Sequence, residues 1–248
     1  RSFPLVDAAG ARMAAGFAED ITARKQTELD RLAACEAQRD ALVREVHHRI
    51  KNNLHGVLGL LRQHAARHPE TAVVIEEAIN QIGAVAAVHG LQGRHTGDSI
   101  SLQALLLEIT KLARTTIGGD KHPELRITLP EPISIAAHEV VAVALVLNEL
   151  LLNAIKHGAA DSIPLVELHD GGGKAHIAIT NRGPGLPPGF DYENGRGLGT
   201  GLGLVKALMP RKGAALSLRQ EDDRIIATLY LEAPVVAFDA RADEKIEP

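Results

Sequence analysis

The longest stretch without a helix breaker sets the first constraint on this chain. Residues 22–66 contain no proline and only two glycines, Gly56 and Gly59, so they predict one long helix. A helix of that length cannot bury itself and must pack on another helix. Its apolar residues recur at coiled-coil-like spacings of 3 and 4 and form one seam: Val43, Val46, Ile50, Leu54, Val57 and Leu61.

A second helix is predicted directly after the first. His68 and Pro69 end the first helix, and residues 70–88 carry a second apolar seam. Two helices joined by a short turn form an antiparallel hairpin, and two such hairpins complete a four-helix core. The seams at 43–61 and 74–88 therefore predict a homodimer, with a monomer left open as the alternative.

The character of the chain changes near residue 97. Strands and helices now alternate, which indicates an α+β fold in which the helical hairpin is followed by an α/β sandwich. We predict helices over 101–117, 136–157 and near 204–209, and strands over 126–129, 164–169, 175–181, 214–219 and 225–231. The segments are then 1–21, a hairpin over 22–96, a sandwich over 97–236 and a polar tail over 237–248.

Composition excludes several classes of protein. A net charge of −4, 2% aromatic residues and no Trp argue against a nucleic-acid partner, which would need a basic surface or base-stacking rings. The single cysteine, Cys35, excludes an internal disulfide framework. The most apolar stretch, residues 140–155, is interrupted by Asn148, Glu149 and Asn153 and is too short to span a bilayer. We expect no membrane segment and a cytoplasmic protein.

Two adjacent histidines, His47 and His48, lie within the first predicted helix. At 100° per residue, His47 falls roughly 40° from the centre of the apolar seam and His48 roughly 140° from it. His47 is therefore expected at the edge of the helix contact and His48 in solvent. An exposed, neutral imidazole suits a phosphoacceptor, and Glu45 is placed to hydrogen-bond its other ring nitrogen.

The stretch from Glu45 to Leu54, Glu-Val-His-His-Arg-Ile-Lys-Asn-Asn-Leu, resembles the phosphoacceptor box of the HisKA_2 subgroup of sensor histidine kinases, close to the HWE group. The resemblance implies a two-component kinase that phosphorylates its own His48 with ATP. It further implies transfer of the phosphoryl group to an aspartate of a response-regulator receiver domain. Commoner histidine kinases carry an acid directly after the acceptor, where this chain has Arg49, so Glu45 is the candidate assisting base.

Polar residues form one stripe on the apolar helix predicted over 136–157. Glu149 and Asn153 are i, i+4 neighbours, and Lys156 and His157 follow. Burying such groups costs free energy unless a partner satisfies them, as Mg²⁺ with a triphosphate would. The segment resembles the N-box of the Bergerat ATP fold, which type II topoisomerases share. The resemblance implies that Asn153 holds Mg²⁺ and that Glu149 is a catalytic acid or base, with Lys156 and His157 approaching phosphate.

Two glycine-rich segments follow the stripe. Residues 181–185 end a predicted strand and resemble the G1 box, in which an Asp reads the adenine amino group, although this chain has Asn181 there. Residues 195–204 precede a helix, where exposed backbone N–H groups suit phosphate, and they resemble the G2 box. Neither a Rossmann fingerprint nor a P-loop is present. The glycines expected to bind ATP are Gly183, Gly185, Gly197, Gly199, Gly201 and Gly203.

Residues 16–25 resemble the junction at which a PAS sensor domain ends and its signalling helix begins, so residues 1–21 are interpreted as the end of a sensor segment. Two other functions would each explain part of the sequence. A topoisomerase-like or chaperone-like ATPase does not explain a helical hairpin that carries His48. A catalytically weak or inactive dimeric scaffold would explain Asn181, but not the retention of Asn153, Lys156 and the glycine loops.

Overall fold

The computed structural model describes residues 2–6, 12–16, 20–94, 99–117, 123–129 and 132–238. The chain divides into two compact units, residues 1–43 and 44–248. The first unit holds an antiparallel hairpin of β1 (Ser2–Val6) and β2 (Arg12–Gly16) and the beginning of α1 (Thr22–Arg67). Asp20 precedes α1, and its Oδ1 accepts a hydrogen bond of 2.9 Å from the backbone N–H of Thr22, the first residue of the helix. The segment interpreted above as the end of a sensor domain thus contains two paired strands.

The second unit opens with the predicted helical hairpin. Helix α1 ends at Arg67, a single 3₁₀ turn covers Pro69–Thr71, and α2 runs over Ala72–Gln92. The turn begins at Pro69, whose ring cannot continue α1. Near the open end of the hairpin, His47 of α1 meets His89 of α2.

The buried face of α1 is rotated relative to the apolar seam that the spacing predicts. Leu58, which the spacing argument left out, is the buried residue of α1 at 3% exposure, while Val46 and Val57 are 54% and 43% exposed. Helix α2 has the opposite character, since it packs on α3 and α4 and buries residues on several of its faces. The valines of the predicted seam are therefore left as an exposed apolar stripe on α1.

Two sheets complete the second unit. The larger has the strand order β4-β6-β7-β9-β8, in which only the pairing of β4 with β6 is parallel. Its strands are β4 (Glu124–Thr128), β6 (Leu165–Asp170), β7 (Ala175–Arg182), β8 (Ala214–Glu221) and β9 (Arg224–Leu231). The smaller sheet, with order β10-β5-β3, comprises β3 (Ser99–Ser101), β5 (Ile133–Ala136) and β10 (Val236–Phe238).

The smaller sheet was not predicted, and it corrects one helix boundary. The helix expected from residue 136 begins at Val140, because residues 133–136 pair with both β3 and β10. The remaining helices are α3 (Leu102–Ile117), α4 (Val140–Lys156) and α5 (Thr200–Leu208). Of the predicted tail, residues 237 and 238 belong to β10, whereas residues 239–248 lie outside the described residues, as does the predicted boundary between residues 96 and 97.

The core lies between the helices and one face of the larger sheet, which is the predicted sandwich. Strand β7 shows how the sheet supplies it: Ala175, Ile177 and Ile179 alternate along the strand and are at most 2% exposed. Helix α4 packs against this strand and buries eleven of its residues. The same alternation brings Asn181, two residues after Ile179, to the inward face at the end of β7, where it is 5% exposed.

Among the described residues, one helical segment is long and apolar enough to cross a bilayer, Pro69–Gln92. It consists of the 3₁₀ turn and α2. In this structure α2 packs on α3 and α4 and places the polar side chain of Gln81 against Glu149. Helix α2 thus makes both apolar and polar contacts within the second unit.

Candidate functional site

The two adjacent histidines of α1 have different surroundings, as helical geometry predicts. The side chain of His47 is half-buried, with its Nδ1 atom 3.0 Å from Nδ1 of His89 and the two rings stacked at 5.3 Å. Since such a contact needs one donor and one acceptor, at least one ring is neutral. Burial, and then the proximity of His47, lower the pKa of His89. His48 is exposed to solvent.

Glu45, the predicted partner of His48, is engaged by the neighbouring arginine. Nε of Arg49 donates a hydrogen bond of 2.6 Å to Oε1 of Glu45, and both side chains are exposed. This hydrogen bond and the charge of Arg49 lower the pKa of the Glu45 carboxyl, with a smaller contribution from His48. Arg49, which stands where commoner histidine kinases have an acid, thus orients a carboxylate on the preceding turn.

The nucleotide-site residues predicted from the sequence gather around one cavity of about 700 Å³. Helix α4, the end of β7, the loop after it and the start of α5 form its walls. The predicted residues that line it are Glu149, Asn153, Lys156, His157, Asn181, Gly185, Gly197, Gly199 and Gly201. Gly183 and Gly203 are not among its lining residues.

The polar stripe of α4 faces the start of α5. Glu149 is 9% exposed, and burial, as the main cause, raises the pKa of its carboxyl. Its Oε1 accepts a hydrogen bond of 3.4 Å from Nε2 of Gln81 on α2. A Cβ atom on Gly201 would lie 2.9 Å from Oε2 of Glu149 and 3.5 Å from the amide of Asn153. The backbone at the start of α5 therefore lies directly on the stripe.

Asn153 fits the role of a magnesium ligand that shares the ion with a nucleotide. Its Nδ2 atom is buried without a hydrogen-bond partner, so the amide is not committed to the protein. Its oxygen is a ligand of the kind Mg²⁺ prefers. Within the described residues no group of three or more His, Cys, Asp or Glu could hold a metal by itself. Mg²⁺ usually enters such sites with substrate phosphates and few protein ligands, which this arrangement suits.

The loop after β7 is fixed by contacts that demand glycine. A Cβ atom on Gly183 would lie 2.6 Å from the carbonyl oxygen of His157, so this glycine allows β7 to approach the end of α4. Gly185 has a φ of +95°, which glycine adopts readily. Oε1 of Gln220 on β8 accepts a hydrogen bond of 2.9 Å from the backbone N–H of Leu186. Gly183 therefore permits the packing of β7 on α4 outside the cavity, while Gly185 lines the cavity.

The second glycine segment leads into α5. Gly195 and Gly197 have φ values of +74° and +71°, and Gly199 is the extended residue before the helix. Nζ of Lys206 donates hydrogen bonds to the carbonyl oxygens of Tyr192 and Glu193 at 3.3 and 2.8 Å, which tethers the loop to α5. The first residues of α5, Thr200 to Leu202, line the cavity. The first N–H groups of a helix lack intrahelical partners and therefore suit a phosphate.

Sequence reasoning missed the contribution of α2. Glu77 and Asn80 line the cavity and Gln81 contacts Glu149, although these residues lie about 70 positions before the N-box. It also missed Gln220, whose contact spans 34 positions. No local pattern in the sequence marks these residues, because their roles arise from packing between distant elements.

Comparison with known proteins yields two family models that match in tandem. The model described as histidine kinase, HisKA_2, covers residues 45–116. The model described as histidine kinase-, DNA gyrase B-, and HSP90-like ATPase covers residues 138–234. The first match begins at Glu45, and the second includes the cavity-lining residues from Glu149 on α4 to Ala227 on β9.

Similar proteins are also histidine kinases. Sensor histidine kinase PdtaS of Mycobacterium tuberculosis is 28% identical over 232 residues, which are 90% of this chain and 44% of that protein. The blue-light-activated histidine kinase of Rhizobium johnstonii is 34% identical over 137 residues, 54% of this chain and 36% of the relative. The chain thus spans less than half the length of these relatives.

A solved structure shares the fold. The histidine kinase domain of the Erythrobacter litoralis EL346 blue-light activated histidine kinase superimposes with a TM-score of 0.53 at 16% identity. The match covers 80% of this chain and 94% of that domain. The hairpin-plus-sandwich architecture is therefore one that is already known.

Proposed function

We propose that this chain, which belongs to the histidine kinases of the HisKA_2 type, phosphorylates its own His48 with ATP. It then passes the phosphoryl group to an aspartate of a response regulator. The observation that carries the proposal is the cavity. It combines the polar stripe of α4, the buried Asn181 and the glycine-rich start of α5. A triphosphate nucleotide needs these three kinds of group: a base contact, a magnesium ligand and phosphate donors.

Different residues along the cavity would bind different parts of the nucleotide. The exposed Lys156 and His157 and the N-terminus of α5 would bind the phosphates, and Asn181 would bind the base. Asn153 would hold Mg²⁺, which neutralises phosphate charge when it is bound. Glu149, close to Gly201 and with a raised pKa, is placed to act as an acid or base beside the phosphates.

The transfer step needs an exposed, neutral nitrogen nucleophile. A ring nitrogen of His48 would attack the γ-phosphorus, a new N–P bond would form, and the bond from that phosphorus to the bridging oxygen of ADP would break. Glu45, kept anionic by Arg49, would hydrogen-bond the other ring nitrogen and stabilise the proton there. In the second step an aspartate oxygen of the receiver domain would take the phosphoryl group and His48 would be restored.

The exposed apolar stripe on α1 supports a homodimer in this proposal. Val46 and Val57 differ by eleven positions, three turns of helix, and therefore share a face. Val73 and Val74 of α2 are also exposed, at 66% and 70%. Patches of this kind are typical of interaction surfaces. The predicted cytoplasmic location belongs to the same proposal, since ATP and receiver domains are found there.

The direct test is incubation with γ-labelled ATP and Mg²⁺. The proposal expects protein-bound label that is lost in acid and stable in base, as a phosphohistidine is. A purified receiver domain should then remove the label. Absence of label in the presence of bound nucleotide would instead support the inactive scaffold.

A further inference from the structure

The end of strand β7 leaves an amide group of the cavity without a partner. Asn181 is 5% exposed, and its Nδ2 atom is buried with no hydrogen bond. A buried unpaired donor costs free energy, and such groups are rare in folded proteins. Because Asn181 lines the cavity, a bound ligand with a suitable acceptor would satisfy it.

The surroundings of Asn181 are apolar and close-packed. Ile179 lies two residues before it on β7, and Ile225 on the neighbouring strand β9 pairs with it. Both isoleucines line the same cavity. The positions where Gly158 and Gly183 would carry a Cβ lie 3.6 and 3.5 Å from its Nδ2 atom. Of the described lining residues, only Glu77 and Glu149 are acidic, and they belong to α2 and α4. Asn181 is therefore the polar group available to a base at the end of β7.

An amide and a carboxylate differ in which purines they can accept. The carboxylate is only an acceptor, so it suits the amino group at position 6 of adenine and opposes the carbonyl oxygen of guanine or hypoxanthine. The amide has both a donor and an acceptor, and a half-turn of its terminal bond exchanges them. It can accept from the adenine amino group while donating to N1, or donate to a 6-oxo group while accepting from N1–H.

We propose that Asn181 makes this site permissive at position 6 of the purine, so that it binds 6-oxopurine nucleotides about as well as adenine nucleotides. The inference rests on the proposed function, because it assumes that the cavity is the nucleotide site. It concerns the base only, and the phosphates are bound in the same way for either purine.

The test compares ADP with IDP, since adenine and hypoxanthine differ only around position 6 and N1. Calorimetric titration of the whole chain with each nucleotide and Mg²⁺ gives a ratio of dissociation constants. We expect a ratio within about threefold for the wild type, because each base makes two neutral hydrogen bonds with the amide. A preference of tenfold or more for ADP would overturn the inference.

The variant Asn181→Asp should restore discrimination. Its carboxylate would strengthen the contact with the adenine amino group and repel the 6-oxo group, so the preference for ADP should rise about tenfold or more. An unchanged ratio would overturn the inference. Asn53→Asp, on an exposed position of α1, adds the same charge away from the cavity and should leave the ratio unchanged.

The outcomes separate this inference from the proposed function. If the wild type binds neither ADP nor IDP, the cavity is not a nucleotide site and both are wrong. If it binds ADP with strong discrimination, only the inference fails. Should Asn181→Asp not fold, Asn181→Ala removes both amide contacts and should weaken ADP and IDP by similar factors. A loss confined to ADP would contradict the inference.

Discussion

The Nδ1 atoms of His47 and His89 lie 3.0 Å apart, and this contact commits the first of two adjacent histidines to the packing of α1 on α2. His48, one residue on, is turned by 100° and faces solvent. His47 thus helps to hold the hairpin together, whereas His48 is accessible from solvent, as the proposed phosphoacceptor must be.

The first prediction follows from this division. His48→Gln should abolish labelling by γ-labelled ATP and leave nucleotide affinity and melting temperature nearly unchanged, because the side chain is exposed. His47→Gln should instead lower stability by about 1 kcal/mol, the typical net value of one hydrogen bond, and retain labelling. Loss of label in His47→Gln alone, in protein that is still folded, would reverse the assignment.

The second prediction concerns the buried carboxyl of Glu149. Burial raises the pKa of this group in the folded state above its ordinary value of 4.5. The folded state therefore binds the proton more tightly than the unfolded state, and stability falls as the pH rises from about 4.5 through the folded pKa. Glu149→Gln keeps the oxygen that accepts from Gln81 and removes this cost. Urea unfolding should show the variant to be more stable than the wild type at pH 7, with the difference closing towards pH 4.5.

Glu45→Gln is the control for that pH dependence. Arg49 lowers the pKa of Glu45, so loss of this carboxylate should not stabilise the protein at any pH. A stability gain of equal size in both variants would show that the effect of Glu149→Gln does not come from burial of its charge.

The third prediction tests the support for the loop after β7. Gln220→Ala removes the acceptor for the N–H of Leu186. Loss of one such hydrogen bond, about 1 kcal/mol, should weaken nucleotide binding by about fivefold if the loop must be ordered to bind. Gln220→Glu retains the acceptor oxygen for Leu186 but loses the hydrogen bond that Nε2 of Gln220 donates to the carbonyl oxygen of Asp222, so its affinity should lie between those of the alanine variant and the wild type. Equal affinities for the alanine variant and the wild type in calorimetry would mean that Leu186 is held by other contacts.

Gln220 also shows what the sequence alone cannot predict. The stripe of Glu149 and Asn153 and the glycines before α5 could be predicted, since helical periodicity and glycine spacing are local properties. Gln220 reaches Leu186 across 34 positions, and Gln81 reaches Glu149 across 68. Such contacts depend on how distant elements pack.

The difference between the predicted seam and the buried face of α1 also arises from packing between distant elements. Spacing alone could not distinguish Leu58, which is buried, from Val57, which is exposed, because both continue a 3–4 repeat. Likewise the three-residue strands β3 and β10 are too short to give a periodic signal, and they are fixed by pairing with β5.

The fourth prediction concerns self-association through the exposed stripe of α1. The wild type should sediment as a dimer at concentrations of tens of micromolar, and the double variant Val46→Glu, Val57→Glu should sediment as a monomer, because it places charge on the apolar face. Leu107→Glu is the matched control, since Leu107 is similarly exposed, at 47%, but lies on α3. A monomeric wild type would refute the homodimer.

The last prediction tests whether the start of α5 must lie directly on the stripe of α4. A methyl group at Gly201 would be 2.9 Å from Oε2 of Glu149, closer than van der Waals contact allows, and 3.5 Å from the amide of Asn153. Gly201→Ala should therefore displace the carboxylate or the helix start and weaken the binding of Mg²⁺ and nucleotide, by about tenfold for a cost near 1.4 kcal/mol.

Gly203→Ala separates this clash from the general effect of alanine in a helix. Gly203 lies in the same helix and has nothing within 4 Å of its Cβ position. Alanine there should raise stability by up to about 1 kcal/mol through helix propensity and leave nucleotide affinity within about twofold. Calorimetry and thermal unfolding of both variants make the comparison. If Gly203→Ala weakens binding as much as Gly201→Ala does, the cause is altered flexibility of α5, and the close approach to Glu149 is not what the site requires.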